Sequence, residues 1–416
     1  MEYIKGFRDK KFGLLGERLG HSFSPSIHKE LADYPYELYE VAKENLGEWV
    51  AANDLSGYNV TIPYKQSVMQ YLHEFSPCAK SIGAVNTVVR RKDGTLFGDN
   101  TDYYGFSYML SKLCVDVKGR KAVVLGSGGA SKTVQAVLGN QGAQVVVVSR
   151  KGEDNYDNIK KHKDAFLVVN ATPVGMYPDC NASPVDLSVF EDLHGVCDLI
   201  YNPSKTNLLM QAEKLGIPCV NGLPMLVAQA KRAAEIFTSS ELCDSVTDKI
   251  RRQVEAKTKN IVLVGMPGCG KSTSGRLVAE ALGRKFMDSD EEIEKSTGES
   301  PSEIIKSKGE ASFRETESQV LESICKQSAL VIATGGGAVT IPHNKDILRQ
   351  NAVVVFIDRD INSLATDDRP LSVNLPALYE KRLPMYEDFA DIKVDGNADA
   401  QVVADRILTA FSEVIE

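Results

Sequence analysis

The sequence predicts an α/β protein built on parallel sheets, and three segments carry this prediction. In each of them a short apolar run leads into a glycine-rich turn, and helical patterns alternate with the runs, as is typical of βαβ units. The runs are 122–125, 261–264 and 330–333, and their turns are 126–131, 265–272 and 335–337. Because domains hold about 100 to 200 residues, the chain of 416 residues is expected to form two to four domains.

The composition is that of a folded protein whose two parts differ in charge. Hydrophobic residues make up 43% of the chain, which is enough for packed cores. The net charge of −8 argues against a general nucleic-acid binder, since such proteins need a basic face. Residues 1–254 hold 29 basic and 29 acidic side chains, whereas residues 255–416 hold 19 and 27. This asymmetry suggests that the chain is a composite of unlike parts.

No sequence feature indicates export or membrane insertion. The first residues lack the apolar segment of a secretory signal, and no apolar run approaches the roughly 18 residues of a membrane span. The eight cysteines are scattered without a C-x-x-C pair, so we expect neither a metal cluster nor a disulfide framework. Reduced thiols favour a cytoplasmic location, with small molecules as partners and neither nucleic acid nor membrane among them.

The first glycine-rich turn has the pattern of a dinucleotide-binding loop. It reads G-x-G-x-x-S and precedes a helical pattern at 132–138. Glycines permit a tight turn, and the helix N-terminus attracts a pyrophosphate. The next apolar run, 145–148, ends in a basic pair, which suits a 2′-phosphate unless it is merely a solvated strand end. The expected cofactor is NADP, in contact with Gly126, Gly128, Gly129, Ala130, Ser131, Ser149, Arg150 and Lys151.

Several polar clusters precede this loop. Ser22 and Ser24 stand at the start of a predicted helix, and Thr61 and Lys65 follow a predicted strand. The segments 83–87 and 100–105 add an amide and a carboxylate. Each cluster by itself is more typical of a turn or a helix cap than of a site.

Taken together and in order, these segments resemble the shikimate dehydrogenase family over about residues 8–250. The matching motifs are H-S-x-S-P-x-x-H at 21–28, N-V-T-x-P-x-K at 59–65, G-A-V-N-T at 83–87, N-T-D-x-x-G at 100–105, G-x-G-G-A-S at 126–131, N-A-T-P-V-G-M at 170–176, D-x-x-Y-N-P at 198–203 and M-L-V-x-Q-A at 225–230. The resemblance implies a two-domain dehydrogenase, with an α/β substrate domain and a Rossmann domain that binds NADP.

The resemblance also implies roles for single residues. Lys65 and Asp102 would be the catalytic pair that handles the proton when the ketone of 3-dehydroshikimate is reduced; which of the two donates it is open. Thr172 would contact NADP. Substrate would be bound by Ser22, Ser24, Thr61, Asn86, Tyr201 and Gln229. The family pattern has asparagine where Ser149 stands, and Pro224 precedes the terminal helix, where proline suits a first turn.

The second glycine-rich turn fits G-x-x-x-x-G-K-S, the phosphate-binding P-loop, between an apolar run and a helical pattern at 273–282. Backbone N–H groups of such a loop cradle phosphates, its lysine reaches the β- and γ-phosphates, and its serine binds Mg²⁺. We therefore expect ATP and Mg²⁺ at Gly265, Gly268, Cys269, Gly270, Lys271, Ser272 and Thr273. The alternative is a degenerate loop on an inactive domain.

The residues after the P-loop indicate the acceptor. Asp288 and Asp290 are expected on the same side of a strand end, where Asp290 could take a hydroxyl proton and Asp288 could serve Mg²⁺. Arg314 could bind a carboxylate through its forked guanidinium. The turn 335–337 leaves room for a closely packed substrate, and Arg369 lies in a polar stretch expected to act as a lid.

This set resembles the shikimate kinase family over residues 257–416. The matching motifs are the P-loop, D-S-D at 288–290, G-E-x-x-F-R-x-x-E at 309–317, T-G-G-G at 334–337, R-P-L at 369–371 and R-x-x-x-Y-x-x-x-A-D at 382–391. The resemblance implies that Arg314 and Arg382 bind the substrate carboxylate. Gly336 and Gly337 would pack on the ring, Asp290 would be the base and Arg369 would close over the phosphoryl group. Asp367 and Asp368 beside Arg369 depart from the pattern and could weaken closure.

The two resemblances together predict a bifunctional enzyme, because shikimate is the product of one reaction and the acceptor of the other. The expected domains are 1–105, completed by a helix at 225–240, then 106–224 for NADP, a linker at 241–256 and a kinase at 257–416. One alternative is a dehydrogenase fused to a degenerate regulatory nucleotide-binding domain. Another is an NAD-dependent quinate-oxidising enzyme, against which the basic pair argues.

Overall fold

A computed structural model describes residues 1–20, 22–364 and 375–415. The chain divides into two compact units, Met1–Tyr201 with Thr206–Arg251 and Asn202–Lys205 with Arg252–Glu416. In the described residues no helix is both long and apolar enough to cross a membrane.

The first sheet of the first unit is mixed. Its strand order is β2-β1-β3-β5-β6-β4, with β1 parallel to both neighbours and the β3–β5 and β5–β6 pairs antiparallel. The elements are β1 (Phe12–Gly16), α1 (Ser24–Leu31), β2 (Tyr36–Glu40), α2 (Leu46–Ala52), β3 (Gly57–Val60), β4 (Glu74–Phe75), α3 (Pro77–Ile82), β5 (Thr87–Arg90), β6 (Leu96–Asp99) and α4 (Thr101–Ser111). None of the three apolar runs predicted to form parallel sheets lies in this mixed sheet.

The second sheet of this unit is wholly parallel, with the order β11-β10-β9-β7-β8. The elements are β7 (Lys121–Leu125), α5 (Gly129–Asn140), β8 (Gln144–Val148), β9 (Leu167–Asn170), β10 (Gly195–Asp198), α6 (Asn207–Lys214), β11 (Cys219–Val220), α7 (Leu223–Thr238) and α8 (Ser245–Thr258). The neighbours Val123 and Val124 lie in different core clusters. Both faces of the sheet are thus buried, which explains the continuous apolar runs of its central strands.

Helix α7 returns to the first sheet. Phe237 on α7 stacks on Phe12 of β1 with ring centroids 4.7 Å apart. At Gly105 on α4, a Cβ would lie 2.7 Å from the carbonyl oxygen of Met225, so glycine allows the two helices to approach closely. The predicted helix at 225–240 therefore packs against the elements of the first sheet.

The second unit is built on a parallel sheet with the order β13-β14-β12-β15-β16. The elements are β12 (Asn260–Val264), α9 (Lys271–Leu282), β13 (Lys285–Asp288), α10 (Ser289–Thr297), α11 (Pro301–Lys308), α12 (Glu310–Cys325), β14 (Leu330–Ala333), α13 (Pro342–Arg349), β15 (Ala352–Asp358), α14 (Leu375–Phe389), β16 (Ile392–Asp395) and α15 (Ala400–Ile415). Strands β12, β14 and β15 form the buried centre of its core. Their carboxyl ends carry the loops at which ligands of such sheets bind.

Candidate active sites

The predicted catalytic pair of the first unit is in direct contact. Lys65 Nζ donates to Asp102 Oδ2 over 2.5 Å. Lys65 lies beyond the end of β3, and Asp102 lies in the first turn of α4, where its side chain is 10% exposed and that of Lys65 is 23% exposed. An ammonium and a carboxylate so largely shielded from water interact more strongly than a surface pair.

Asn86 binds the second carboxylate oxygen of Asp102. Its Nδ2 donates to Asp102 Oδ1 over 2.9 Å, and its Oδ1 accepts the backbone N–H of Thr101 over 2.7 Å. Gln229 on α7 reaches the same network, because Thr101 Oγ1 lies 3.5 Å from its Oε1. Two predicted residues, Lys65 and Asn86, thus contact the carboxylate of Asp102, and Gln229 joins the same network through Thr101.

The remaining predicted substrate residues lie in three segments of the chain. Ser22 Oγ accepts the N–H of Ser24 at the start of α1, and the ring of Phe23 between them lies 5.7 Å from that of Tyr201. Thr61 follows β3 directly and binds the β1 backbone through its N–H. Within the described residues, no hydrogen bond joins the side chains of Ser22, Ser24 or Thr61 to the Lys65–Asp102 pair.

The predicted NADP loop begins with a strained turn that only glycine accommodates easily. Gly126 has φ +100°, a left-handed conformation, and a Cβ there would lie 2.8 Å from Thr172 Cγ2. Gly128 caps α5, which includes Gly129 and Ala130. Ser131 is fully buried, and its hydroxyl accepts a hydrogen bond from Gln135 Nε2.

Two buried residues that the sequence reading left without a role hold Thr172 in place. Asn170 Oδ1 accepts the N–H of Thr172 over 3.0 Å and its Oγ1–H over 2.6 Å. Asp198 Oδ1 in turn accepts from Asn170 Nδ2 over 3.0 Å. Burial raises the pKa of Asp198 to about 6, against the hydrogen bonds from Thr206, Ile200 and Asn170. Their positions at the carboxyl ends of neighbouring parallel strands were the signal that could have identified them.

The basic pair after β8 is available to an anion. Ser149 forms a turn, in which its N–H donates to the carbonyl of Asp154 and its own carbonyl accepts from Gly152. Arg150 and Lys151 are exposed, and neither forms an ion pair with another described residue.

The second unit contains a cavity of about 580 Å³ that joins the P-loop to the predicted acceptor residues. Predicted residues that line it are Gly268, Gly270, Lys271, Ser272, Thr273, Asp288, Asp290, Arg314, Gly336, Gly337 and Arg382. Gly265 and Cys269 do not line it; Cys269 is buried, and Gly265 adopts φ +149° at the start of the loop. Arg369, Asp367 and Asp368 lie outside the described residues.

The P-loop lysine is folded back onto its own loop. Lys271 Nζ donates to the carbonyl oxygens of Gly265 and Met266 over 2.9 and 3.0 Å. Ser272 Oγ donates to Asp288 Oδ2 over 2.6 Å. A hydroxyl and a carboxylate at this distance fit Mg²⁺, which takes one or two protein oxygens together with phosphate oxygens and water. In the described chain no group of three or more His, Cys, Asp or Glu residues could hold a metal ion.

Asp288 and Asp290 are not arranged as the sequence predicts. Asp288 ends β13, but its side chain accepts the N–H of Asp290 and so caps α10. A helix therefore begins where a continued strand was expected, because an aspartate cap satisfies the free N–H groups of a first turn. The prediction that both carboxylates share one side of a strand is wrong, although both line the cavity.

The predicted carboxylate-binding arginines are anchored around the glycine turn. Arg382 Nη1 and the Tyr386 hydroxyl donate to the carbonyl oxygen of Gly336. A Cβ on Gly337 would collide with the guanidinium of Arg314, so only glycine allows that arginine its position. The Nε atoms of Arg314 and Arg382 are buried without a hydrogen-bond partner.

Glu317 is a buried residue of this site to which the sequence reading gave no role. Its Oε2 accepts from Arg314 Nη1 over 2.7 Å, and its Oε1 is buried without a partner. A Cβ on Gly335 would collide with that Oε1 and lie 3.1 Å from Asp290 Oδ1. Burial raises the pKa of Glu317, which the charge of Arg314 partly offsets. Its spacing of three residues from Arg314 on one helix was the available signal.

Comparisons with known proteins match both parts of the chain. The family model of the shikimate dehydrogenase substrate binding domain matches residues 14–88, and that of shikimate kinase matches residues 267–412. The shikimate dehydrogenase (NADP(+)) of Clostridium perfringens strain SM101 is 38% identical over 270 residues, which are 60% of this chain and 99% of that protein. The corresponding enzyme of Clostridium beijerinckii is 40% identical over 257 residues, covering 57% and 94%.

Solved structures agree with the match of the N-terminal part. A chorismate mutase/shikimate 5-dehydrogenase fusion protein from Clostridium acetobutylicum is 41% identical with a TM-score of 0.57, covering 60% of this chain and 98% of that one. Shikimate 5-dehydrogenase from Thermus thermophilus, solved with NADP(H) and shikimate, is 33% identical with a TM-score of 0.53, covering 59% and 99%. Both resemblances drawn from the sequence are thus confirmed: the chain belongs to the shikimate dehydrogenase family, and its C-terminal part is a shikimate kinase domain.

Proposed function

We propose that this chain reduces 3-dehydroshikimate to shikimate with NADPH and then phosphorylates shikimate with ATP and Mg²⁺. The observation that carries the proposal is the presence of two complete polar constellations in one chain. One places Lys65 and Asn86 on the carboxylate of Asp102, with Gln229 joined to it through Thr101. The other is a cavity that runs from Lys271 to Arg314 and Arg382.

At the first site Lys65 is the proton donor and Asp102 orients it. Asp102 accepts hydrogen bonds on both oxygens, from Lys65 and from Asn86. Lys65 is the donor within the pair, so we assign the proton transferred to the substrate to its ammonium. NADPH, when bound, supplies the hydride, while Lys65 protonates the developing alkoxide, and Asn86 and Gln229 bind the ring hydroxyls.

NADP rather than NAD is the proposed cofactor. Thr172 and the Gly126 turn form the wall against which the nicotinamide half would lie, and Asn170 holds Thr172 there. Arg150 and Lys151 are exposed cations at the end of β8. Their charges can bind a 2′-phosphate, which NAD lacks.

At the second site the acceptor lies between Asp290 and the two arginines. Arg314 and Arg382 supply the cations for its carboxylate, and Asp290 takes the proton of the attacking hydroxyl. Lys271 leaves its backbone carbonyls to reach the phosphates, and Ser272 with Asp288 holds Mg²⁺, which neutralises charge on the phosphates when bound. The role of Arg369 as a lid residue stays a prediction of the sequence.

We also propose the domain limits and location that the sequence predicts. Residues 1–105 with the helix at 225–240 bind the substrate, 106–224 bind NADP, 241–256 connect and 257–416 form the kinase. The packing of Phe237 on Phe12 supports the assignment of that helix. None of the eight cysteines forms a disulfide, which favours the reducing cytoplasm.

Two assays test this proposal on the purified chain. The first supplies 3-dehydroshikimate with NADPH, and the second supplies shikimate with Mg-ATP, with product masses determined in both. We expect shikimate from the first and shikimate 3-phosphate with ADP from the second. Binding of Mg-ATP without ADP formation would instead support the degenerate regulatory domain.

A further inference from the structure

Arg359 occupies the nucleotide side of the kinase cavity, and no motif of the sequence reading included it. It follows the last residue of β15, and β15 pairs directly with β12, the strand that leads into the P-loop. The acceptor residues Asp290 and Gly335 follow β13 and β14, on the other side of β12. With the P-loop in the middle of the sheet, Arg359 lies on the side opposite the acceptor.

The guanidinium of Arg359 lies against the phosphate-binding loop itself. Its Nη1 is 3.7 Å from the position that a Cβ would take on Gly270, the residue before Lys271. Arg359 also lines the same cavity as Lys271. It is therefore within reach of a group held by the backbone N–H groups of the loop.

Arg359 has no partner of its own among the described residues. Its Nε is buried without a hydrogen bond, and no ion pair or hydrogen bond with another described residue involves it. The neighbouring carboxylate is already engaged, because Asp358 accepts from Tyr379 and pairs with Lys393. A guanidinium without a described protein partner can accept an anionic ligand through its remaining N–H groups.

We propose that Arg359 binds the α- and β-phosphates of the nucleotide, an inference that rests on the proposed kinase function. A forked guanidinium can bind two phosphate oxygens at once. Arg359 lies on the β15 side of the P-loop, where its charge adds to that of Lys271. It contributes nothing to acceptor binding. The nucleotide is thus held from both sides of the P-loop.

Direct binding to the full-length chain tests this role. Isothermal titration measures Mg-ATP, Mg-ADP and inorganic tripolyphosphate on the parent chain and on Arg359→Ala, Arg359→Lys and the control Arg276→Ala. Arg276 is an exposed cation of the same unit that pairs with Glu291 and does not line the cavity. We expect Arg359→Ala to weaken all three ligands by about 10- to 100-fold, Arg359→Lys to recover part of the loss and Arg276→Ala to change little. The KM for shikimate should stay unchanged in Arg359→Ala.

The other outcomes separate the possible errors. Unchanged binding of every ligand by Arg359→Ala, while the parent binds Mg-ATP, overturns the role of Arg359 and leaves the kinase proposal standing. A loss confined to ATP and ADP, with tripolyphosphate unaffected, would place Arg359 on the nucleoside and overturn the phosphate assignment. Failure of the parent to bind Mg-ATP refutes the kinase function, and this inference with it. Melting curves of Arg359→Lys and the parent show whether a loss reflects folding.

Discussion

The first site and the phosphate-binding end of the second site use their charges in opposite ways, whereas Arg314 at the acceptor end of the second site is already paired with Glu317. In the first, Lys65 and Asn86 are both hydrogen-bonded to Asp102 before any substrate arrives. In the second, Lys271 binds backbone carbonyls, and Arg359 has no partner among the described residues. A site that moves one proton benefits from a pair that is already matched, whereas a site for polyanions needs donors that its ligands complete. The comparison teaches that internal pairing of charges reflects the ligand each site is built for.

The same contrast explains the overall charge. The part of the chain that is proposed to bind ATP and a carboxylate holds 19 basic and 27 acidic residues, so its net charge would repel both ligands. Four of its cations, Lys271, Arg314, Arg359 and Arg382, line the cavity. Screening limits the reach of surface charges to about 10 Å, so these few placed cations dominate at the site.

Replacing Lys65 should break the first site alone. In Lys65→Ala we expect kcat for NADPH-dependent reduction of 3-dehydroshikimate to fall about 10³-fold, because a positioned acid contributes about 10² to 10⁴. Phosphorylation of shikimate should be unchanged. Steady-state rates of both reactions test this, with the exposed Lys80→Ala as the matched control. Loss of both activities in a folded Lys65→Ala protein would refute independent sites.

Replacing Lys271 should break the second site alone. Lys271→Ala is expected to lower kcat/KM for shikimate phosphorylation by about 10²-fold or more, since one preorganised donor to transition-state charge contributes that much. NADPH oxidation should continue at the parental rate. ADP release measures the effect, and the exposed Lys285→Ala should behave like the parent. A Lys271→Ala chain that phosphorylates normally would show that the P-loop is not used as proposed.

Replacing Arg150 should weaken the binding of NADPH and leave the binding of NADH nearly unchanged. For Arg150→Ala we expect KM for NADPH to rise about 10-fold, as for the loss of a charge-assisted hydrogen bond, while KM for NADH hardly changes. Initial rates with each cofactor give the comparison, and Lys161→Ala on a neighbouring exposed segment serves as the control. Equal changes for both cofactors would exclude a 2′-phosphate contact.

The smallest expected effect is on stability and concerns His28 in the first unit. Burial lowers the pKa of His28 to about 3, and its ring stacks on that of Tyr36 with centroids 3.9 Å apart. An unfolded chain takes up the proton below about pH 6.5, whereas the folded chain does so only near pH 3. His28 therefore lowers the free energy of unfolding as the pH falls from about 6.5 towards 3. At pH 5 this loss is about 2 kcal/mol.

Trp49, the single tryptophan, lies in α2 of this unit and reports its unfolding by fluorescence. Urea titrations measure the free energy of unfolding at pH 7 and at pH 5. Between these two pH values it should fall by about 2 kcal/mol less in His28→Gln than in the parent. In the control His194→Gln, which replaces an exposed histidine, the free energy of unfolding should fall by as much as in the parent. Identical losses in the parent and His28→Gln would mean that the buried ring takes up its proton like an exposed one.

The sequence predicted most of the elements that hold motifs. The helix expected at 273–282 is α9, Lys271–Leu282, and the apolar run at 330–333 is β14. These predictions hold because glycine turns and buried parallel strands leave strong local patterns. The antiparallel strands β5 and β6 were missed, since their pairing depends on distant segments and not on a local pattern.

Within the sites, prediction failed where a role depends on packing. Asp290 lies on a helix because the side chain of Asp288 caps that helix. The D-S-D motif at 288–290 did not reveal this contact. Glu317 and Arg359 are single charged residues that would ordinarily be assigned to the surface. Only the folded chain shows Glu317 beneath Arg314 and Arg359 beside Gly270.

The central claim is that one chain carries two successive and separate sites, and one assay tests it most directly. The parent and Lys65→Ala are each given 3-dehydroshikimate, NADPH and Mg-ATP, with NADPH loss and ADP formation followed together, and then shikimate with Mg-ATP alone. We predict that, from 3-dehydroshikimate, the parent forms ADP only as NADPH is consumed. Both chains should form ADP from shikimate, whereas Lys65→Ala should form none from 3-dehydroshikimate. Absence of ADP from shikimate in the parent, or its formation from 3-dehydroshikimate without NADPH consumption, would contradict the account.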